Sequence, residues 1–425
     1  MSIIEPPATA ESAGRHDPYA ALRFRDFRLL VSGTFLTVVA EQMLGVAVGW
    51  ELYERTRSPL ALGLIGLVQV VPVVLLALPA GHVADRFDRK RIVVVTTLLA
   101  ALCALGLAAL SATNGSLVLI YACLLGIGIA RAFQSPATAS LMSQVIPQEH
   151  YTNAVTWESG VWQASGILGP ALGGLVIAVQ GHAALAYALV AGGLLLVVLL
   201  VALIRPRPVA RSEEQLTLSS LFAGARFIWN TKIILAAITL DMFAVLLGGA
   251  TALLPIFAKD ILLVGATGLG WLRAAPAAGA VLAALTIAYL PPFKNAGRTL
   301  LLVVGGFGLA TIVFGLSRSF ALSLLMLAAL GALDNISVVI RSTLLLTRTP
   351  DAMRGRVNAV HFVFIGISNE LGAFESGIAA ALLGTVGAVA AGGVGTVLVV
   401  ALVALIWPEV RRLGRLDGVE DAITS

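Results

Sequence analysis

The sequence is poor in charge. Asp, Glu, Lys and Arg make up 12% of its 425 residues, while hydrophobic types reach 58%. A water-soluble domain carries about 25% charged residues. The deficit excludes a soluble globular enzyme, and the apolar excess excludes a disordered chain. Long apolar runs without period-two alternation exclude a transmembrane β-barrel. Only two cysteines occur, Cys103 and Cys123, both inside apolar runs. They read as small packing residues and define no disulfide framework or metal site. The first stretch, Met1–Asp26, has no apolar core and does not read as a cleaved signal peptide, so the first span does the targeting. The net charge of +5 lies mostly in short gaps between apolar runs, which does not suit nucleic acid.

What the sequence does have is apolar runs of membrane-spanning length, about 20 residues each. Twelve are expected, near 28–52, 60–84, 92–112, 116–141, 153–180, 183–204, 232–257, 265–289, 298–317, 320–347, 357–384 and 386–407. We number them spans 1 to 12. The longest gap, Arg205 to Lys232, divides them into two halves of six. This gives a tail (1–27), a first bundle (28–204), a linker (205–231), a second bundle (232–407) and a second tail (408–425). Within the linker, Leu218, Leu221, Phe222, Ala225, Phe227 and Ile228 approach helical spacing, as in a short amphipathic helix on a membrane surface. Twenty-one of the Lys and Arg residues fall on the side holding both termini, and four (Arg55, Arg57, Lys259, Arg318) on the other. By the positive-inside rule both termini are cytoplasmic.

The halves resemble each other. Pro147 precedes Asn153-Ala154-Val155 after span 4, and Pro350 precedes Asn358-Ala359-Val360 after span 10. Proline forces a helix exit and Asn is a good N-cap, so each Asn is expected to open the following span. The pattern supports a duplication.

Several segments resemble the major facilitator superfamily. Gly81-His-Val-Ala-Asp85-Arg86-Phe-Asp88-Arg89-Lys90 is similar to its signature loop between spans 2 and 3, with Asp88 replacing a glycine. Gly169-Pro170-Ala-Leu-Gly173-Gly174 in span 5, with Gly166 and Ser165 upstream, resembles the antiporter motif of its exporters. The runs Ala21–Leu30, Ser58–Gly63 and Asp85–Arg91 resemble the branch holding enterobactin exporters and macrolide efflux proteins. The resemblance implies an all-α membrane fold of twelve helices in two pseudo-symmetric six-helix bundles. It also implies that spans 1, 4, 7 and 10 line a cavity. A cytoplasmic gate is expected from Gly81, Asp85, Arg86, Arg89, Lys90, Arg354 and Arg356, with Asp85 meeting the start of span 11 near Val357 and Asn358. In span 5 the glycines permit close helix approach and Pro170 bends the helix.

Charge at membrane depth is costly and points to function. Glu41, Arg131, Glu158, Asp241, Arg273, Asp334, Arg341, Glu370 and Glu375 fall inside spans. A carboxylate in a partly dry cavity can exchange a proton near neutral pH. Glu41 and Asp334 lead as proton-coupling candidates, followed by Asp241 and Glu370, with Arg131 as the cation that pairs with a carboxylate. Arg131 and Asp334 each stand sixteen residues before the proline of their half. Arg273 is expected to snorkel outward, and Glu51 and Glu54 to be solvated. Gln42, Trp50, Gln134, Trp157 and Asn335 are substrate-binding candidates, as are Phe133, Trp162, Gln163, Met242 and Phe243. An acidic, aromatic cavity suits an amphiphilic or cationic solute.

No nucleophile-with-base arrangement, metal-ligand spacing or phosphate loop is present, so an enzyme is not expected, nor is a cofactor or metal. The expectation is a monomeric, proton-coupled exporter of a small amphiphilic molecule, a drug or siderophore, in a bacterial inner membrane. Its partners are the solute, protons and the lipid bilayer. A proton-coupled nutrient importer of the same fold is the alternative.

Overall fold

A computed structural model describes residues 17–207, 218–291 and 293–414. Its helices include twelve long and apolar enough to cross a membrane. In the first half they are Arg25–Thr56, Pro59–Arg86, Arg89–Ala112, Leu117–Val145, Tyr151–Gln180 and Ala184–Ala202. In the second they are the broken span Lys232–Ile261, then Gly265–Tyr289, Ala296–Leu316, Phe320–Arg348, Asp351–Leu383 and Thr385–Ile406. No strand occurs among the described residues. With an even number of spans both chain ends share one face, here called the terminal face, and the other is the distal face.

Local chemistry sets several boundaries. Pro59 occupies the first turn of span 2, and the Asp88 side chain caps span 3 by accepting from Lys90 N at 2.9 Å. Gly181, at φ 78°, supplies the left-handed turn that ends span 5. Two Asn N-caps expected from sequence are corrected. Span 5 is already helical at Tyr151, and Asn153 instead holds the N-terminal stretch, accepting from Ala21 N (2.9 Å) and donating to Pro18 O (2.8 Å). Span 11 is helical from Asp351, because Pro350 and not Asn358 sets its start.

Packing repeats between halves. Spans 1/5, 2/4, 3/4 and 3/6 pack in the first half, and 7/11, 8/10, 9/10 and 9/12 pack in the second. Each second pair is the first shifted by six, which is the pseudo-symmetry of two bundles. The halves join through spans 2/11 and 5/8, two contacts that the same shift exchanges. Lipid-facing apolar residues such as Leu75, Val179 and Leu382 stand exposed on the outside, where soluble folds place polar ones.

The linker carries the expected helix, at Leu218–Asn230. Gly224 and Ile228 turn to span 11, where Ile228 packs with Val357 and Val360. Phe222 and Trp229, seven residues apart, remain exposed on the helix.

Candidate transport site

A cavity of about 280 Å³ opens among spans 1, 3, 4, 5 and 6. The buried Leu30, Val93 and Val201 line its terminal end, each close to a terminal-face helix end. Glu41 and Arg131, far along their helices, form its floor. Between that end and the floor the wall offers Thr34, Thr37, Gln134, Ser135, Thr138, Glu158 and Trp162. Gln134 Nε2 donates to Thr97 Oγ1 at 3.2 Å, which fixes its amide at the wall.

At the floor, charges from both halves meet. Arg131 Nη1 of span 4 lies 3.7 Å from Glu370 Oε1 of span 11. Glu41 of span 1 sits within the field of Arg131, and Arg273 of span 8 within that of Glu370. Arg273 does not snorkel outward as expected. Its guanidinium lies over Gly45, where a Cβ would come within 2.6 Å of Nη1. The missing side chain at Gly45 is what lets the cation stay at depth. Two acids and two guanidiniums, one from each of spans 1, 4, 8 and 11, thus neutralise one another where the halves join. A change of charge on Arg131 or Glu370 is felt in both halves, because each of these two has partners in both bundles.

Asp241 and Asp334 belong to a separate cluster inside the second half. Arg341, 2% exposed, contacts the buried Asp241 carboxylate directly and lies 3.9 Å from Asp334 Oδ1. Its Nε also donates to Ser337 Oγ at 3.2 Å. Asp241 has the surroundings of a fixed pair, whereas the Asp334 side chain is 49% exposed. A second cavity, of about 420 Å³, lies beside this cluster and is lined by Arg341, Arg354, Asn358 and His361.

Span 5 is the seam between halves. Its small residues alternate between two helix faces. Gly166 and Gly174, with Pro170 between them at four-residue spacing, face span 8: a Cβ on Gly174 would stand 2.9 Å from Gly270 Cα, and one on Gly166 would stand 3.0 Å from Ala277 Cβ. Gly169 and Gly173 face span 1 of their own half, at Val39, Gln42 and Met43. This is small-residue packing used twice on one helix. On the other side of the molecule Gly63 and Gly377 do the same for spans 2 and 11, with a Cβ on Gly63 only 3.0 Å from Gly377 Cα. These contacts lie toward the distal face. Nearer the terminal face, Gly81 of span 2, Gly160 of span 5 and Gly366 of span 11 have no atom within 4 Å of a built Cβ. The close glycine contacts between the halves thus lie toward the distal face.

Charges lock the distal join. Tyr53 Oη donates to Asp260, and Arg57 Nη1 lies 2.8 Å from the same carboxylate. Lys259 Nζ lies 2.7 Å from Glu54 Oε1 and 5.0 Å from the centre of the Trp50 ring. Span 1 supplies one side of this lock and the distal end of span 7 the other. Lys259 and Asp260 ride on a π-helical turn, Phe257–Ile261, a distortion that often marks functional sites. Sequence reasoning did not find the lock. The signal available was that three of the four basic residues on the poorly charged side (Arg55, Arg57, Lys259) cluster at the ends of spans 1 and 7. Glu51 is not solvated as expected: it is buried and pairs with Arg55 at 2.7 Å.

Other candidates fall elsewhere. Trp50 belongs to the lock, and Trp157 holds the N-terminal stretch, donating from Nε1 to Pro18 O at 3.0 Å. Gln42 stands at the span 1/5 seam. Asn335 has a buried Oδ1 that accepts no hydrogen bond among the described residues. Lys90 Nζ donates to Ala202 O and Ile204 O at 2.7 and 2.8 Å, which ties span 3 to the end of span 6. Arg354 pairs with Asp351 at 2.7 Å, and Arg356 approaches Met353 Sδ at 3.7 Å. Arg86 and Arg89 stand at the adjoining ends of spans 2 and 3. The Asp85 side chain lies outside the described residues. Because span 11 begins at Asp351, its positive helix end is there and not at Val357 and Asn358.

The profile of the transmembrane secretion effector family matches residues 16–418. The chain belongs to this family of major facilitator transporters. It is similar to the enterobactin exporter EntS of Shigella flexneri and that of Escherichia coli O1:K1, at 27% identity over 91% of this chain and 92% of each relative. Its fold is that of a bacterial homologue of the human lysosomal transporter Spinster, in an inward-facing, occupied conformation (TM-score 0.73, 16% identity, covering 93% of this chain and 98% of that one). The nucleoside transporter NupG also matches (TM-score 0.67, 14% identity, 91% and 99% covered). The protein is a multi-pass membrane transporter of a bacterial inner membrane, not an enzyme.

Proposed function

We propose that this protein is a proton-coupled exporter of a small amphiphilic molecule. The two bundles, 28–204 and 232–407, rock about the contact of Arg131 with Glu370, beside Glu41 at the cavity floor. The arginine-rich terminal face is cytoplasmic, and the conformation described is open to that side. The observation that carries the reading is the inter-half pair Arg131–Glu370 at the floor of a cavity that opens terminally. A proton on Glu370 cancels a charge felt by Arg131 of one half and Arg273 of the other, and a proton on Glu41 reaches the same tie through Arg131, so proton binding and rocking share one set of groups. Asp334 is a second proton site, exposed where the second half faces the opening. When the terminal face closes, the loop of Gly81, Asp85, Arg86 and Arg89 meets the start of span 11 near Arg354 and Arg356. The solute is of the siderophore or drug type, as the relatives' names suggest.

The test is transport in reconstituted vesicles. Enterobactin and a panel of amphiphilic drugs are loaded inside or outside, with and without a pH gradient. Export that an uncoupler and Glu41→Gln both abolish is expected. Transport indifferent to the gradient contradicts the coupling, and uptake in the opposite direction contradicts export.

A further inference from the structure

The acids inside the spans are not equivalent. Glu41 and Glu370 share Arg131, and Asp241 and Asp334 share Arg341. Glu158 differs: it lines the cavity among spans 1, 3, 4, 5 and 6, and no described basic side chain pairs with it or acts on it. A carboxylate at membrane depth without a cation of its own is costly unless something else supplies the charge.

Its neighbour says what that something is. Trp162 follows four residues later on the same helix face and lines the same cavity, with 52% of its surface exposed. A large apolar ring left open in a cavity, one turn from an unpaired carboxylate, is the pairing that holds an organic cation: the acid takes the charge and the ring face takes the apolar, polarised surface around it. Glu158 stands seven residues into span 5, about 10 Å along the helix axis by helical rise, nearer the terminal face than Glu41. A solute arriving from that side meets Glu158 and Trp162 before it meets the floor.

We propose that Glu158 and Trp162 form a cation-recognition subsite, so that the solute preferred by this transporter is an amphiphile bearing a positive charge. The proposal rests on the reading of the cavity as the transport site and deepens it to a substrate class. It does not depend on proton coupling.

The experiment uses two probes of nearly the same shape and opposite charge, tetraphenylphosphonium and tetraphenylborate. Equilibrium binding of each is measured to the full chain in lipid nanodiscs at one pH, with empty nanodiscs subtracted. The wild type is expected to favour the phosphonium by about tenfold or more, the ratio that a single ionic contact confers. Glu158→Gln is expected to remove the preference, Glu158→Asp to keep most of it, and Trp162→Ala to weaken phosphonium binding more than Trp162→Phe does. Equal or stronger binding of the borate by the wild type overturns the proposal, as does an unchanged ratio in Glu158→Gln. Failure of proton coupling shows instead in the vesicle assay with a gradient, and leaves this ratio untouched.

Discussion

Arg131 of span 4 and Glu370 of span 11 meet across the boundary between the two bundles, 3.7 Å apart. Each bundle brings its own acid and guanidinium, Glu41 with Arg131 and Glu370 with Arg273, and this contact links the two couples. Neutralising Glu370 leaves Arg131 with Glu41, and neutralising Arg131 leaves Glu41 without its cation and Glu370 with Arg273 alone. Glu370→Gln and Arg131→Gln are each expected to slow transport at least tenfold. The exchange Arg131→Glu with Glu370→Arg should recover part of the loss, with a coupling of about 0.5–3 kcal/mol in a double-mutant cycle of transport rates.

The distal lock predicts a shift in conformation. Asp260 receives both Tyr53 and Arg57, so Asp260→Asn removes an ionic tie while Lys259–Glu54 remains. Exposed pairs contribute about 1 kcal/mol or less. The population with an open distal face should therefore rise up to roughly fivefold, read by labelling of a cysteine introduced at the buried Ala258, outside the lock.

The span 5 seam predicts a contrast between two glycines of one helix. Gly174→Val forces a side chain against Gly270 backbone and should cost about 1–3 kcal/mol with loss of transport. Gly160→Val meets open space and should leave thermal stability close to wild type. Thermal unfolding of the purified variants checks both.

The second-half cluster separates stability from transport. Arg341→Leu strands a buried Asp241 carboxylate and should destabilise by about 3–5 kcal/mol. Asp334→Asn alters an exposed group and should unfold near the wild-type temperature while transport falls. Equal thermal shifts in the two variants contradict the division.

Much of the fold was legible because lipid demands it. A span needs its apolar run whatever it packs against, so Leu117–Val145 and Gly265–Tyr289 stand out without any neighbour. The span 5 motif was legible as close packing, but not as two faces serving two partners, since that depends on where spans 1 and 8 come to lie. Partner choice was not legible. Glu54 and Lys259 are ordinary helix-end charges far apart in sequence until the bundles meet. Nothing local to Arg273 reveals that Gly45 makes room for it at depth. The amide of Asn153 suits a cap, and only the return of the N-terminal stretch gives it another use.

The central claim is that protonation at the mid-membrane acids loosens the tie between bundles and so permits rocking. Spin labels at Asn114→Cys and Arg318→Cys, on distal loops of opposite halves, report that motion directly, with Cys103 and Cys123 replaced by Ala. The measurement is the distance distribution between the labels in mildly acidic and mildly alkaline buffer. The expected result is a shift toward longer distances on acidification, which Glu370→Gln mimics at alkaline pH and no longer responds to. Identical distributions at both pH values in the otherwise unaltered protein would contradict the account.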